Sequence, residues 1–236
     1  MIEIKKLTKS FGKLKALNNV NLNLAQGECI ALIGPNGCGK TTLIKSILGM
    51  VLPENGDIIF NGKNIKNDNL YRNEIGYMPQ IGRYPENMTI GQIINMIQGI
   101  RNQQRDLDVE LYNSFGIAKM LDKKMHTLSG GTTQKVSATL AFMFPSKVLI
   151  LDEPTAGLDP IASEILKDKI IEARKKGILV LITSHLLSEL ENIASQIIFM
   201  EDGNLILHKN VEELKSDTGQ SSIAKSIIHI LKNKVA

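Results

Sequence analysis

The sequence contains no tryptophan, and only 4% of its 236 residues are aromatic, so an isolated ring such as Phe11 stands out. Cysteine is almost as scarce. Cys29 lies in an apolar stretch and Cys38 in a glycine-rich one, which excludes a disulfide framework and fits a reducing compartment. The longest apolar runs, such as Ile178 to Ile182, are far too short to cross a bilayer. The N-terminus, Met1-Ile2-Glu3-Ile4-Lys5, has no signal-peptide pattern. The formal charge is +4, without the dense basic blocks of a nucleic-acid binder, so no nucleic-acid partner is expected. There is no internal repeat and no low-complexity tract. These absences predict a soluble, cytoplasmic chain.

What is present begins with hydrophobic content of 43%, enough for a substantial core. Gly34-Pro35-Asn36-Gly37-Cys38-Gly39-Lys40-Thr41-Thr42 matches G-x-x-x-x-G-K-[ST], the phosphate-binding loop. An apolar strand-like run, Cys29 to Ile33, precedes it. Apolar residues at helical spacing, Leu43 to Leu48, follow it. The glycines let successive backbone N–H groups point inward at phosphate oxygens, aided by the positive end of the helix. Lys40 adds a point charge at the β- and γ-phosphates, and the Thr41 hydroxyl is placed to ligate Mg²⁺. Cys38 is expected to contribute only its backbone.

Alternating apolar residues at Ile2 and Ile4, and at Val20, Leu22 and Leu24, predict half-buried antiparallel strands. Asn61-Gly62 and Asp202-Gly203 are hairpin signals. From Ile81 to Phe144 the pattern becomes helical, with Ile90, Ile93, Ile94 and Ile97 on one face. Within it, Arg101-Asn102-Gln103-Gln104-Arg105 reads as a solvated connection between helices. Strand and helix then alternate again. Val148 to Leu151 is an apolar strand ending in Asp152-Glu153. Pro160 to Lys175 is an amphipathic helix, Ile178 to Thr183 a second strand, and Ser221 to Lys234 a tail helix. An acid at such a strand end can hold Mg²⁺, and its neighbour can polarise water.

Further motifs, in order, carry a family resemblance. Pro79-Gln80 resembles a Q-loop, Leu128-Ser129-Gly130-Gly131 a signature motif, Ala156-Gly157-Leu158-Asp159 a D-loop, and Thr183-Ser184-His185 a switch histidine. Together with the phosphate loop and the Asp152-Glu153 pair, these make the chain similar to the ATP-binding subunits of ABC transporters along nearly its whole length. The resemblance implies an α/β fold: a P-loop NTPase, RecA-like core with an N-terminal antiparallel β subdomain and a helical family-specific insertion. On this reading residues 1–80 and 145–215 form the core, 81–144 the helical signature subdomain, and 216–236 the tail.

The resemblance also implies roles. Phe11 would stack on adenine, with Ala16 packed beside it, the alternative for Phe11 being a core aromatic. Asn36, Gly37, Cys38, Gly39, Lys40, Thr41 and Thr42 would hold the phosphates. Thr41, Gln80 and Asp152 would serve Mg²⁺. Glu153 would be the general base, with Gln80 and His185 completing the catalytic set. Ser129, Gly130, Gly131, Thr132 and Asp159 would act on a second ATP across a head-to-tail homodimer. Thr132 and Lys135 depart from the commonest signature, which has Gln and frequently Arg there. With no membrane span of its own, the motor would need a separate integral membrane permease, holding it peripherally at the inner face of the cell membrane. Tyr77, Met78 and Ile81 to Tyr84 are candidate contacts. The general style resembles ATPases of ABC-2-type exporters, including the one serving copper-site maturation of nitrous oxide reductase. The rival is a soluble ABC-type ATPase in metal-cluster assembly.

Overall fold

The computed structural model describes residues 1–102 and 106–234, the last two by backbone alone. Strands β1 (Ile2–Phe11), β2 (Leu14–Leu24), β4 (Asn55–Phe60) and β5 (Lys63–Asn64) form an antiparallel sheet in the order β2-β1-β4-β5. The second sheet runs β10-β9-β3-β8-β7-β6. Its members are β3 (Cys29–Ile33), β6 (Ile75–Met78), β7 (Val148–Asp152), β8 (Leu179–Thr183), β9 (Gln196–Glu201) and β10 (Asn204–Asn210). All its ladders are parallel except the β9–β10 hairpin.

Burial follows from this arrangement. β3, β7 and β8 are buried at every position, because a parallel sheet is covered on both faces and needs apolar residues on each. Their side chains divide with period two. Ile30, Leu32, Val148, Ile150, Leu179 and Leu181 join a core shared with the antiparallel sheet and helix α1 (Lys40–Ile47). Ala31, Ile33, Leu149, Leu151, Val180 and Ile182 face the other core. That second core is built with helices α2 (Ile90–Arg101), α3 (Glu110–Ser114), α4 (Gly130–Met143) and α5 (Pro160–Lys175). Helix α6 (Leu187–Leu190), α7 (Val211–Thr218) and α8 (Ile223–Lys234) complete the described chain.

Local chemistry sets the element ends. Asn61 and Gly62, and Asp202 and Gly203, all have positive φ, the conformation a two-residue hairpin turn requires. α2 starts with a reciprocal capping box, Thr89 with Gln92, which a T-x-x-Q pattern supports.

Three expectations need correction. Arg101 is not a solvated linker residue. Its guanidinium donates to the carbonyls of Ile75 (2.8 Å) and Asn73 (3.2 Å) and lies 4.9 Å from the Phe144 ring centre. That burial lowers its pKa by desolvation. The rest of the proposed connection, 103–105, lies outside the described residues. Met78 is fully buried in the core and presents nothing to a partner, because it closes β6 facing the helices. The tail has no break at 215/216, since α7 runs through that point.

Candidate nucleotide site

Four neighbouring parallel strands, β3, β8, β7 and β6, end on the same side of the sheet. That edge is where α/β sheets collect ligands. The phosphate loop leaves β3, His185 follows β8, Asp152 and Glu153 end β7, and Gln80 follows β6. A cleft of about 270 Å³ opens there. Its lining joins Phe11, Ala16, Asn36, Gly37, Gly39, Lys40, Thr41, Thr42, Gln80, Asp152, Glu153 and His185, residues distant in sequence. Leu14 lines it too; the sequence reading missed it, although its place across the tight turn from Phe11 was the available signal.

The loop is held open by its glycines. A Cβ on Gly39 would sit 2.3 Å from the Ala16 carbonyl oxygen, and one on Gly34 2.1 Å from that of Met200. Both have positive φ, so a side chain would be strained as well as crowded. The Lys40 ammonium donates to the carbonyls of Gly34 (2.7 Å) and Pro35 (3.0 Å). These neutral acceptors hold its ammonium in a cleft that Asp152 and Glu153 also line. Cys38 does not line the cleft. Its side chain is buried among Gly34, Met200 and the core, in line with a backbone-only contribution.

Phe11 is 52% exposed, which rules against a core aromatic; Lys9 Nζ lies 5.3 Å from its ring centre. Ala16 is buried at the cleft floor.

At the other wall, the Thr183 hydroxyl donates to Asp152 Oδ1 (2.5 Å) and accepts from the Glu153 N–H (3.0 Å). The sequence reading used Thr183 only as the first residue of the switch-histidine motif. Its hydroxyl fixes both acids and leaves the second Asp152 oxygen available. Glu153 has φ of 51°, a left-handed backbone that a glutamate rarely adopts. This turns its side chain toward His185, whose Nε2 lies 2.9 Å from Glu153 Oε1. The Gln134 amide donates to the Glu153 carbonyl at 3.3 Å, tying α4 to the same turn.

Ser129, Gly130, Gly131, Thr132 and Asp159 do not line this cleft. Ser129 caps α4, accepting from the Thr132 N–H at 3.3 Å, and its hydroxyl pairs with that of Thr132 at 2.9 Å. Gly131 packs on the Gly157 carbonyl, 2.7 Å from where its Cβ would be. Asp159 caps α5 through the Ala162 N–H and pairs with Lys135 at 2.6 Å. Hydrogen bonding from Lys135, then from Ala162, holds the Asp159 carboxyl below its usual range. So both signature departures are engaged locally: Thr132 with Ser129, Lys135 with Asp159.

A sequence model of the ABC transporter family matches residues 17–156, more than half of the chain. The chain belongs to that family. It is an ATP-binding subunit of the ABC transporter type, an ABC ATPase. It is 34% identical over 220 residues to the lantibiotic transport ATP-binding protein of Streptococcus pyogenes, covering 91% of this chain and 95% of that one. Among solved structures it resembles an ATP-binding subunit of an ABC transporter, with TM-score 0.91, 26% identity, and coverage of 98% and 99% of the two chains. It shares its fold with a dimeric bacterial ABC transporter cassette, with TM-score 0.79, 23% identity, and coverage of 89% and 98%.

Proposed function

We propose that this ABC ATPase subunit closes head to tail with a second copy over two ATP molecules and drives a separate membrane permease. The observation that carries the reading is the division of its motif residues. Phe11, Lys40, Gln80, Glu153 and His185 line one cleft, whereas Ser129 to Thr132 and Asp159 lie outside it. A helix N-terminus capped by a serine, with glycine N–H groups behind it, suits a phosphate brought by a partner. The dimeric cassette of the same fold is consistent with that geometry.

Within the cleft, Phe11 stacks on the base and Ala16 packs beneath it. Asn36 to Thr42 cradle the phosphates, with Lys40 neutralising the β- and γ-groups. Thr41, Gln80 and Asp152 offer only oxygen donors of the kind Mg²⁺ takes, and the metal would neutralise phosphate charge there. Glu153 takes the proton of the attacking water, and His185 contacts the γ-phosphate. Gln80, exposed at the end of β6, reports the occupied site to the helical subdomain, and exposed Ile81 and Arg83 beside it remain permease contacts. Among the described residues no helix is long and apolar enough to cross a membrane. Attachment at the inner face of the membrane, on this proposal, runs through the permease.

The narrower proposal, a role in copper-site maturation of nitrous oxide reductase, rests on the resemblance in general style alone. Among the described residues no group of three His, Cys, Asp or Glu is placed to hold a metal ion. The cargo is whatever the permease admits.

The test uses Glu153→Gln, which keeps the shape of the acid but not its proton acceptance. With saturating Mg-ATP at high protein concentration, size-exclusion chromatography with light scattering should show an accumulated dimer. Adding Ser129→Arg should abolish it. A dimer surviving Ser129→Arg refutes the head-to-tail interface, and full hydrolysis by Glu153→Gln refutes the general base.

A further inference from the structure

Beyond the strand ends, where Thr183 holds Asp152 and Glu153, the two catalytic loops are joined by two further links. One link is the bond between His185 and Glu153. The other lies behind it, where the Thr155 hydroxyl donates to Glu189 Oε2 at 2.5 Å. Thr155 is two residues beyond Glu153, and Glu189 four residues beyond His185. The contacts therefore close a ring running from Glu153 through Thr155 and Glu189 to His185 and back. Thr155 and Glu189 are both partly buried, so their bond is shielded from water on one side.

His185 itself is weakly held. Its side chain is 49% exposed, and its loop is secured locally by a turn in which the Leu186 N–H donates to Ser184 Oγ. On the reading proposed above, on which this inference rests, His185 must exchange Glu153 for a γ-phosphate. The first link then opens, and beyond the Thr183 bonds at the strand ends the second remains to keep the loops in register.

The segment carrying Glu189 is anchored on its far side by the neighbouring acid. Glu191 Oε1 accepts the Ile223 N–H at the start of α8 (2.5 Å), and Glu191 Oε2 pairs with Lys215 of α7 (3.0 Å). A carboxylate at a helix N-terminus is favoured by the helix dipole. Leu190 and Ile193 are buried on either side of it. The C-terminal helices thus brace the switch segment from below.

We propose that Glu189, with Thr155, is a positioning pair that holds His185 and Glu153 in catalytic register, and that Glu191 anchors it to the C-terminal helices. Neither Thr155 nor Glu189 lines the nucleotide cleft, so the pair acts on turnover and not on affinity. Displacing reacting groups by about 1 Å can cost on the order of a hundred-fold in rate.

The experiment measures steady-state ATPase kinetics and equilibrium nucleotide binding on the full chain. Thr155→Val and Glu189→Ala should each lower kcat by about ten- to a hundred-fold with KM and nucleotide Kd unchanged. The double variant should be no worse than either single one, because both remove the same bond. Thr155→Ser, which keeps the hydroxyl, should restore turnover, as should Glu189→Gln, which keeps an acceptor. Glu191→Ala should also lower kcat. Wild-type kcat in both Thr155→Val and Glu189→Ala overturns the positioning pair. So does a loss that Thr155→Ser and Glu189→Gln fail to rescue. Wild-type kcat in Glu191→Ala overturns the anchor. Glu153→Gln separates the levels: if it is inactive while the pair variants turn over normally, only the present inference fails, and if it hydrolyses ATP, the parent reading fails.

Discussion

Lys169 is the sharpest stability test of the joint between α5 and α3. It sits on α5 with 4% of its side chain exposed, a rare place for lysine. Its ammonium touches Asp108 (2.7 Å), Glu110 (2.5 Å) and Glu172 (2.9 Å). Burial alone would lower its pKa, but hydrogen bonds to Asp108, Glu110 and Glu172 outweigh it and hold the ammonium above its ordinary value. Lys169→Met keeps most of the stem and removes the charge, leaving three acids facing one another. Breaking a buried ion pair costs about 3–5 kcal/mol. The partners are 34%, 57% and 38% exposed and can rehydrate, so the low end applies, about 3 kcal/mol. For a chain of this size that is a fall in Tm of roughly 6–12 °C. Lys167→Met, removing the partner of a Glu164 that is 70% exposed, should change stability by less than about 1 kcal/mol.

The pH dependence has a definite sign. Lys176, then Lys169, depress the Glu172 carboxyl from 4.5 to about 2. Its stabilisation is present above pH 4.5 and is lost as pH falls through about 2. The raised Lys169 contributes below its unfolded value of 10.5 and loses its contribution as pH rises through the higher folded value. The gap between wild type and Lys169→Met should be full between these limits and close in acid. Differential scanning calorimetry across pH measures it. A Tm within 1 °C of wild type at neutral pH, by a criterion of about 0.3 kcal/mol, or a gap independent of acid, refutes the ion cluster.

Lys40→Ala should nearly abolish ATP binding, read with a fluorescent analogue, since the charge held over the cleft by two carbonyls disappears; unchanged affinity contradicts the phosphate loop. Phe11→Ala should weaken nucleotide binding by roughly 1–3 kcal/mol with little preference among bases. Because the ring is half exposed, thermal stability should hardly move; a fall in Tm with affinity intact would make it a packing residue after all. Ending the chain at Gln220 should leave liposome sedimentation unchanged while lowering Tm. Ile223 and Ile227 are buried against the protein, worth about 1.5–3 kcal/mol each, which fits a packing helix better than a membrane anchor. Strong lipid binding that vanishes with the tail would refute this.

Much of the molecule was legible in one dimension because the signals are local. The phosphate loop depends on glycines at fixed spacing, the two hairpins on Asn61-Gly62 and Asp202-Gly203, and the central strands on continuous apolar runs. The helix of α5, from Pro160 to Lys175, was bounded correctly by its proline and the following glycine. Family order then supplied names for motifs that local chemistry alone leaves ambiguous.

The remainder depends on contacts between residues far apart in the chain, which periodicity does not encode. Sequence placed Arg101 in solvent, but the carbonyls of Asn73 and Ile75 at the start of β6 capture it. It placed Met78 with the permease contacts, but the register of β6 turns that side chain inward. Lys169 reads as an ordinary charge on an amphipathic helix until α3 and its preceding turn deliver two acids to it. Thr183, Thr155 and Glu189 gain their meaning only when β7 and β8 lie side by side. The sequence by itself determined which chemistry is available: a phosphate loop, two acids, a glutamine and a histidine. Only the tertiary structure decided that these meet in one cleft while Ser129 lies outside it, because parallel strand order, not chain order, sets which strand ends are neighbours.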